Sequence, residues 1–426
     1  MTEFRLLGAA RALTLVCLLA LAACADEDGQ DSTALSPSPV TTAGPGLSPS
    51  PGVAAEAGPL GAYVVNVADG EVTRLAAGEG YSVVSWSQDG TALTLAQGAL
   101  TGAQDTYSVN ADGSELTLTA TIDGWVGPWS PATRAIIRYE TGRDQSTGLV
   151  RYGLYVTSPG ARLGHWVADG FLGVWSPDGE RIAFVGNFCD EEQNYVGVVK
   201  ADGSDLVKLT DVDSLQVGHA WSPDGRTLAF SAPDEEGVLQ IFLADVEGST
   251  RVKLTDGPSS KMRPAWSADG AFLSFAALEG EATGAAPAYW VAPKEGGDAT
   301  PLPAGIGDLA WSPQGRQLAF AGGGELQVLD LEEGGESATL ARLGESDEVD
   351  FHWSPDGRRI AFIKEGQIYV VGMDGAKEKQ LTSETTLEPG QGSGEPVIID
   401  SIRWSPGGTK IAFAVGLPSA ARAVCS

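Results

Sequence analysis

Few residues in this chain of 426 have the types and spacing that catalysis or metal binding demands. It has three histidines, His165, His219 and His352, and lacks the His-x-x-x-His or Cys-x-x-Cys pairs that build a transition-metal site from local sequence. His219 and His352 stand two and one residues before a tryptophan, and Arg263, Asp308, Asp350 and Arg403 stand one to three residues before others. Such a set could ring a shared opening, where mixed charges form either structural ion pairs or an acid–base constellation. The carboxylates of Asp89, Asp178, Asp224, Asp269 and Asp356 each precede a glycine and are numerous enough to suggest calcium. Sister copies carry Gln314 and Gly407 at that position, so the turn itself needs no charge. The string GQGSGEP (Gly390 to Pro396) lacks the leading glycine of a nucleophile elbow and sits in a glycine-rich loop. The expectation is a chain without catalytic activity, metal or cofactor.

Two acidic triplets, Asp190-Glu191-Glu192 and Asp234-Glu235-Glu236, read as a candidate rim for a basic or cationic partner. With His219, His352, Asp350 and Arg403 they make up the candidate binding residues. The formal charge of −29 repels phosphate backbones and excludes a nucleic-acid partner.

The elements that must position these residues are written in a repeat. Tryptophan-led copies begin at Trp86, Trp129, Trp175, Trp221, Trp266, Trp311, Trp353 and Trp404, at spacings of 43, 46, 46, 45, 45, 42 and 51 residues. Even periods of this length mark a repeat architecture. Within a copy such as WSPDGRTLAF (Trp221 to Phe230), Asp-Gly marks a tight hairpin and LAF or IAF the returning strand. A second strand pair follows, as in GQIYVVGMDGAKEKQLT (Gly366 to Thr382). Each unit is thus a four-stranded antiparallel sheet that needs neighbours to cover its faces, and radial stacking supplies them. The fold class is all-β: an eight-bladed β-propeller, with seven blades as the alternative if the degenerate WSPATR copy at Trp129 forms no sheet of its own. The last copy supplies two strands, and GAYVVNVADGEVTRLAAG (Gly61 to Gly78) supplies the two it lacks, so the N-terminal strands should close the ring.

These WSPDG-x-x-IAF units, with the turns NADGSEL and KADGSDL, resemble the WD-like repeats of TolB-type β-propellers from Gly61 to Val415. That resemblance implies a docking platform, a translocation component or the lid of a peptidase. A propeller enzyme of the carbohydrate lyase or hydrolase kind, with its site in the channel or loop face, is the alternative.

Upstream, Arg5 and Arg11 precede an apolar run that ends in Leu21-Ala22-Ala23-Cys24. This resembles the lipobox of bacterial lipoproteins, which implies lipid attachment at Cys24 after removal of residues 1–23. Residues 24–60 are rich in Pro, Ser, Thr and Gly and read as a tether, 61–415 as the propeller and 416–426 as a tail. About 35 tether residues would span roughly 30 Å. The expected location is the extracytoplasmic side of a bacterial cell membrane. The expected partner is a protein or envelope component, bound by a monomer. In that oxidising compartment Cys189 and Cys425 either form a disulfide or remain separate thiols.

Overall fold

A computed structural model describes residues 60–98, 104–122, 125–133, 135–143, 150–157, 164–186, 194–210, 218–248, 250–278, 287–331, 337–344, 349–373, 378–383 and 398–416. Residues 1–59 and 417–426, which hold the signal and nearly all of the tether and tail with Cys24 and Cys425, lie outside them, as do Cys189 and the triplet Asp190-Glu191-Glu192. Every regular element among the described residues is a β-strand.

The strands form six four-stranded sheets and one seven-stranded sheet, arranged as a ring of antiparallel blades. The seven-blade alternative, tied to the WSPATR copy forming no sheet of its own, is therefore the one met, in place of eight separate blades. The exception is the WSPATR copy, whose strands share a sheet with the Trp175 copy. The strand His165–Trp175 runs for 11 residues and serves both. Its start pairs with Val150–Thr157, and its end pairs with Arg181–Gly186. Elsewhere a connecting segment separates the outer strand of one copy from the inner strand of the next, whereas here the connection has no length. Gly170 marks the change of partner, because a Cβ there would sit 2.5 Å from a ring carbon of Phe184. The ring thus holds seven sheets but eight tryptophan copies.

Closure follows the expected route. Gly61–Asn66 pairs with Lys410–Gly416 from Gly61↔Val415 to Asn66↔Lys410, and Val72–Ala77 pairs outside it. One sheet is therefore made from both ends of the chain, in the order Val72–Ala77, Gly61–Asn66, Lys410–Gly416, Ile398–Trp404.

The tryptophans tie neighbouring copies together by one repeated bond. In six copies the indole Nε1–H donates to the carbonyl just before the preceding copy's tryptophan, among them Trp221 to Val174 at 3.0 Å, Trp266 to Ala220 at 3.1 Å, and Trp311 to Ala265 at 3.1 Å. Trp353 bonds Ala310 at 3.0 Å and Trp404 bonds His352 at 3.0 Å. Trp86 donates to Arg403 at 3.1 Å across 317 residues of sequence and so joins the first copy to the last. The rings fill the space between sheets, as expected, while Phe184, Phe230, Phe320, Phe362 and Phe413 from the returning strands are fully buried within it.

The motif turn differs from the two-residue hairpin that Asp-Gly suggests. It runs from Ser to Gly: the amide of Gly90 returns to the carbonyl of Ser87, and the same bond recurs at Gly179, Gly225, Gly270, Gly357 and Gly408. Positive φ falls on the glycine, for example 71° at Gly90, and not on the aspartate. This is type I geometry, which explains the proline at its second position.

Outer strands present unpaired edges, and the sequence blunts them in two ways. Four outer strands are only two or three residues long, reading VK, RVK, TP and KQ. The six-residue ones, Val72–Ala77, Thr117–Ile122 and Ser337–Arg342, each carry a bulge against their partner. Short length, positive charge, proline and bulges all discourage edge-to-edge association.

Trp86→Phe keeps an aromatic ring, though a smaller one, but strands the Arg403 carbonyl at the seam, and it should lower unfolding free energy by about 1–3 kcal/mol. Trp166→Phe, at a tryptophan 54 % exposed, should change it by less than about 0.5 kcal/mol. Denaturant titration of both variants checks this.

Candidate functional site

The first strand of each copy lines the inside of the ring, where the first strands of neighbouring sheets touch one another. Most of these strands bulge just before the tryptophan, with register shifts at Val83/Ser85, Val126/Trp129, Phe171/Val174, Met262/Ala265, Ile306/Asp308 and Asp400/Arg403. Three residues before the tryptophan, Leu172 (φ 55°), Arg263 (55°) and Ser401 (62°) adopt left-handed backbone, and Gly218 does so in the Trp221 copy at 93°. The bulge re-aims the side chains that follow it.

Three of the sequence-nominated residues meet on this wall. His352 Nε2 lies 3.1 Å from Asp350 Oδ1, with the two side chains 37 % and 32 % exposed. Arg403 Nη1 approaches the same nitrogen at 3.3 Å and donates to the carbonyl of Ile402 at 2.8 Å. A single imidazole nitrogen either donates to the carboxylate or accepts from the guanidinium, so one protonation state never satisfies both neighbours. In the adjoining copies Arg263 hydrogen-bonds Tyr289, and Asp308 lies close enough to act on the same hydroxyl. Burial pushes the Tyr289 pKa up, while Arg263 works against that shift. Tyr289 has no signal in the repeat, because it belongs to the third strand and meets the inner wall through Arg263.

His219 does not join them. It is half-buried as a residue, but its Nε2 is enclosed and has no hydrogen-bond partner among the described residues. Burial pushes its pKa down from 6.5 to about 4, only partly offset by the carbonyls of Ala183 and Leu172. Those carbonyls belong to the preceding copy, so the ring is wedged between sheets. Leu309, Phe351 and Ile402 occupy the equivalent position in other copies. His219 is a polar substitute in an apolar slot.

The remaining candidates hold turns together. Asp234 accepts the amides of Glu236 and Val238 at 3.0 Å each. Desolvation works to raise its pKa, yet these amides and Lys253 bring the net shift below the ordinary carboxylate value. Glu235 and Glu236 are exposed beside it. The motif carboxylates Asp89, Asp178, Asp224, Asp269 and Asp356 each accept a serine hydroxyl at 2.5–2.6 Å. The hydroxyl of Ser87, with the amide and hydroxyl of Thr91, holds Asp89 down to about 2. These oxygens stitch their own turns. The serine was the stronger signal: it is present in all eight copies and buried in each, including those without aspartate.

A groove of about 760 Å³ opens on the side of these turns, between the Trp175, Trp221 and Trp266 copies. Arg181, Arg226 and Lys294 face Asp224, Glu247 and Glu295 there, with Arg181 and Glu247 paired at 2.9 Å. A groove made by packing whole modules leaves no mark in the sequence of any one of them.

Comparison with known proteins agrees with this architecture. The family described as TolB beta propeller domain matches residues 170–287, and the one described as dipeptidyl peptidase IV N-terminal region matches residues 336–415. Among solved structures, an oligogalacturonate lyase in complex with manganese is similar at 16 % identity, covering 74 % of this chain and 97 % of that one with a TM-score of 0.51. TolB from Acinetobacter baumannii is 14 % identical over 76 % of this chain and 79 % of its own, with a TM-score of 0.38. A prolyl endopeptidase is 16 % identical over 70 % of this chain and 50 % of its own, with a TM-score of 0.48. No curated protein matches the sequence.

His219 gives a pH signature whose sign is fixed by its shift. With the folded pKa at about 4 against 6.5, the unfolded chain takes up the proton first, so stability is full above about pH 6.5 and falls as pH drops toward 4. The loss attributable to this ring should reach up to about 3 kcal/mol. His219→Leu should flatten the stability profile between those values and leave stability at neutral pH unchanged or higher, as measured by denaturant unfolding across pH. Taken with the repeat and the ring closure, the chain is a β-propeller, and its residues 170–287 match the TolB beta propeller domain family.

Proposed function

We propose that this chain is a non-catalytic propeller that binds a protein or envelope component as a monomer, tethered by lipid at Cys24 to the extracytoplasmic face of a bacterial membrane. The observation that carries the reading is how the polar side chains are employed. The turn carboxylates are bound to serines, Asp234 to its own turn, and His219 is sealed between sheets. A rigid ring with its chemistry consumed by architecture suits docking, and surface loops on such scaffolds carry recognition. The TolB-like repeat supports a protein-binding role in the same direction.

An enzymatic reading, of the carbohydrate lyase or hydrolase kind, has one observation in its favour: the solvent-accessible Asp350–His352 contact beside Arg403. It lacks the convergence of His219 on that group, which a four-residue catalytic pocket would need, so the docking reading is preferred.

The test is capture from membranes by the propeller beginning at Gly58, compared with a version carrying alanine at both acidic triplets. The expected outcome is a discrete partner retained by the first and reduced severalfold on the second. Equal capture by both contradicts the acidic rim, and no specific capture by either contradicts the platform.

A further inference from the structure

The inner wall holds an incomplete recognition group at the seam of the ring. The guanidinium of Arg403 has five N–H groups, and only Nη1 is engaged, by the Ile402 carbonyl and His352 Nε2. Among the described residues no acceptor meets Nε or Nη2. Their N–H groups lie along one planar edge of a half-buried side chain. The position of that side chain is set from both ends. Its own carbonyl is held by Trp86, and the carbonyl of His352 is held by Trp404. The guanidinium is therefore placed by the bonds that close the ring, and the edge it leaves open matches two oxygens on one atom.

Asp350 limits what those oxygens can be. Its carboxylate stands 3.1 Å from His352, and the chain as a whole carries −29, so a dianionic phosphate is repelled about twice as strongly as a single negative charge. The other charged groups on the strands packed against His352 are occupied. Arg359 donates to the Gly408 carbonyl at 2.7 Å and lies over the Trp404 ring, and Lys364 pairs with Glu378 at 2.8 Å. Farther along the wall, Arg263 serves Tyr289. Among the described residues of these strands Arg403 is left as the cation able to receive a ligand, with His352 beside it able to donate once Nε2 bears a hydrogen.

The geometry points to a carboxylate-binding site at Arg403, taking a monoanionic carboxylate of a bound peptide. The peptide source rests on the docking reading above, and the carboxylate belongs either to a chain terminus or to an acidic side chain.

The experiment follows the Arg403 Nε–H resonance in the full chain labelled with 15N-arginine, assigned by its loss in Arg403→Gln. Three peptides are titrated: acetyl-triglycine with a free C-terminus, the same peptide amidated, and an amidated peptide with one internal glutamate. The expected result is a saturable shift with at least one carboxylate peptide and none with the neutral amide, and the responsive peptide names the source. The variants lack that resonance, so their binding is read by isothermal titration calorimetry, in which Arg403→Lys should weaken it by at least about tenfold, because a lysine offers no planar pair of donors. Arg403→Gln keeps the backbone carbonyl that Trp86 uses, so its thermal unfolding should match the parent and loss of binding is then not loss of fold. The proposal is overturned if neither carboxylate peptide moves the resonance, if the amide moves it equally, or if Arg403→Gln binds the peptide like the parent. Membrane capture that persists while these titrations fail removes only this site. Peptide binding without membrane capture removes the platform reading instead.

Discussion

Everything in this structure depends on the indole of one copy reaching the backbone of the copy before it. A four-stranded sheet covers neither of its own faces, so each module is stable only against neighbours. Packing alone would leave the angle between sheets soft. A bond near 3.0 Å from Trp221, Trp353 or Trp404 to a carbonyl on the previous inner strand fixes that angle. The Trp86–Arg403 bond then adds to the Gly61–Asn66 pairing, so the seam is held at its inner wall and along its middle strands.

The same bonds explain where reactive side chains can stand. Their acceptors sit immediately before each tryptophan, the positions occupied by His352 and Arg403 in the last two copies. Small residues, Ala220, Ala265 and Ala310, fill that position in other copies. Replacing alanine by histidine and arginine there puts polar chemistry on a backbone already immobilised, at the place where the two chain ends meet. The neighbouring slot tolerates polarity poorly, since it faces the interior between sheets. That contrast separates His352, accessible and paired with Asp350, from His219, enclosed and unpaired.

The fold was readable because it is written eight times, and because the incomplete last copy has its complement at Gly61 to Gly78. The count of sheets was readable only as the alternative tied to the degenerate copy at Trp129, since it turns on a single connection: the chain passes through Gly170 without leaving the sheet, where a Cβ would crowd Phe184. The turn type was misread for a related reason. Asp-Gly suggests positive φ at both residues, whereas the buried serine hydroxyl draws the aspartate into a longer turn. Of the candidate site, the inner-wall trio could be found by counting back from the tryptophans, which brought Asp350, His352 and Arg403 onto one surface. Counting could not separate His219 from them, because burial between sheets depends on which face of the strand the bulge presents. The groove beside Arg181 and Glu247 left no trace in the repeat.

The most direct measurement is hydrogen exchange of the tryptophan indole N–H groups, resolved individually by NMR. A ring closed by these bonds predicts that Trp86, Trp221, Trp266, Trp311, Trp353 and Trp404 exchange slowly and together, in one global opening, while exposed Trp166 exchanges far faster. Early exchange confined to Trp86 and Trp404, with protection rising toward the middle copies, would describe an array that frays from open ends and would contradict the closed ring.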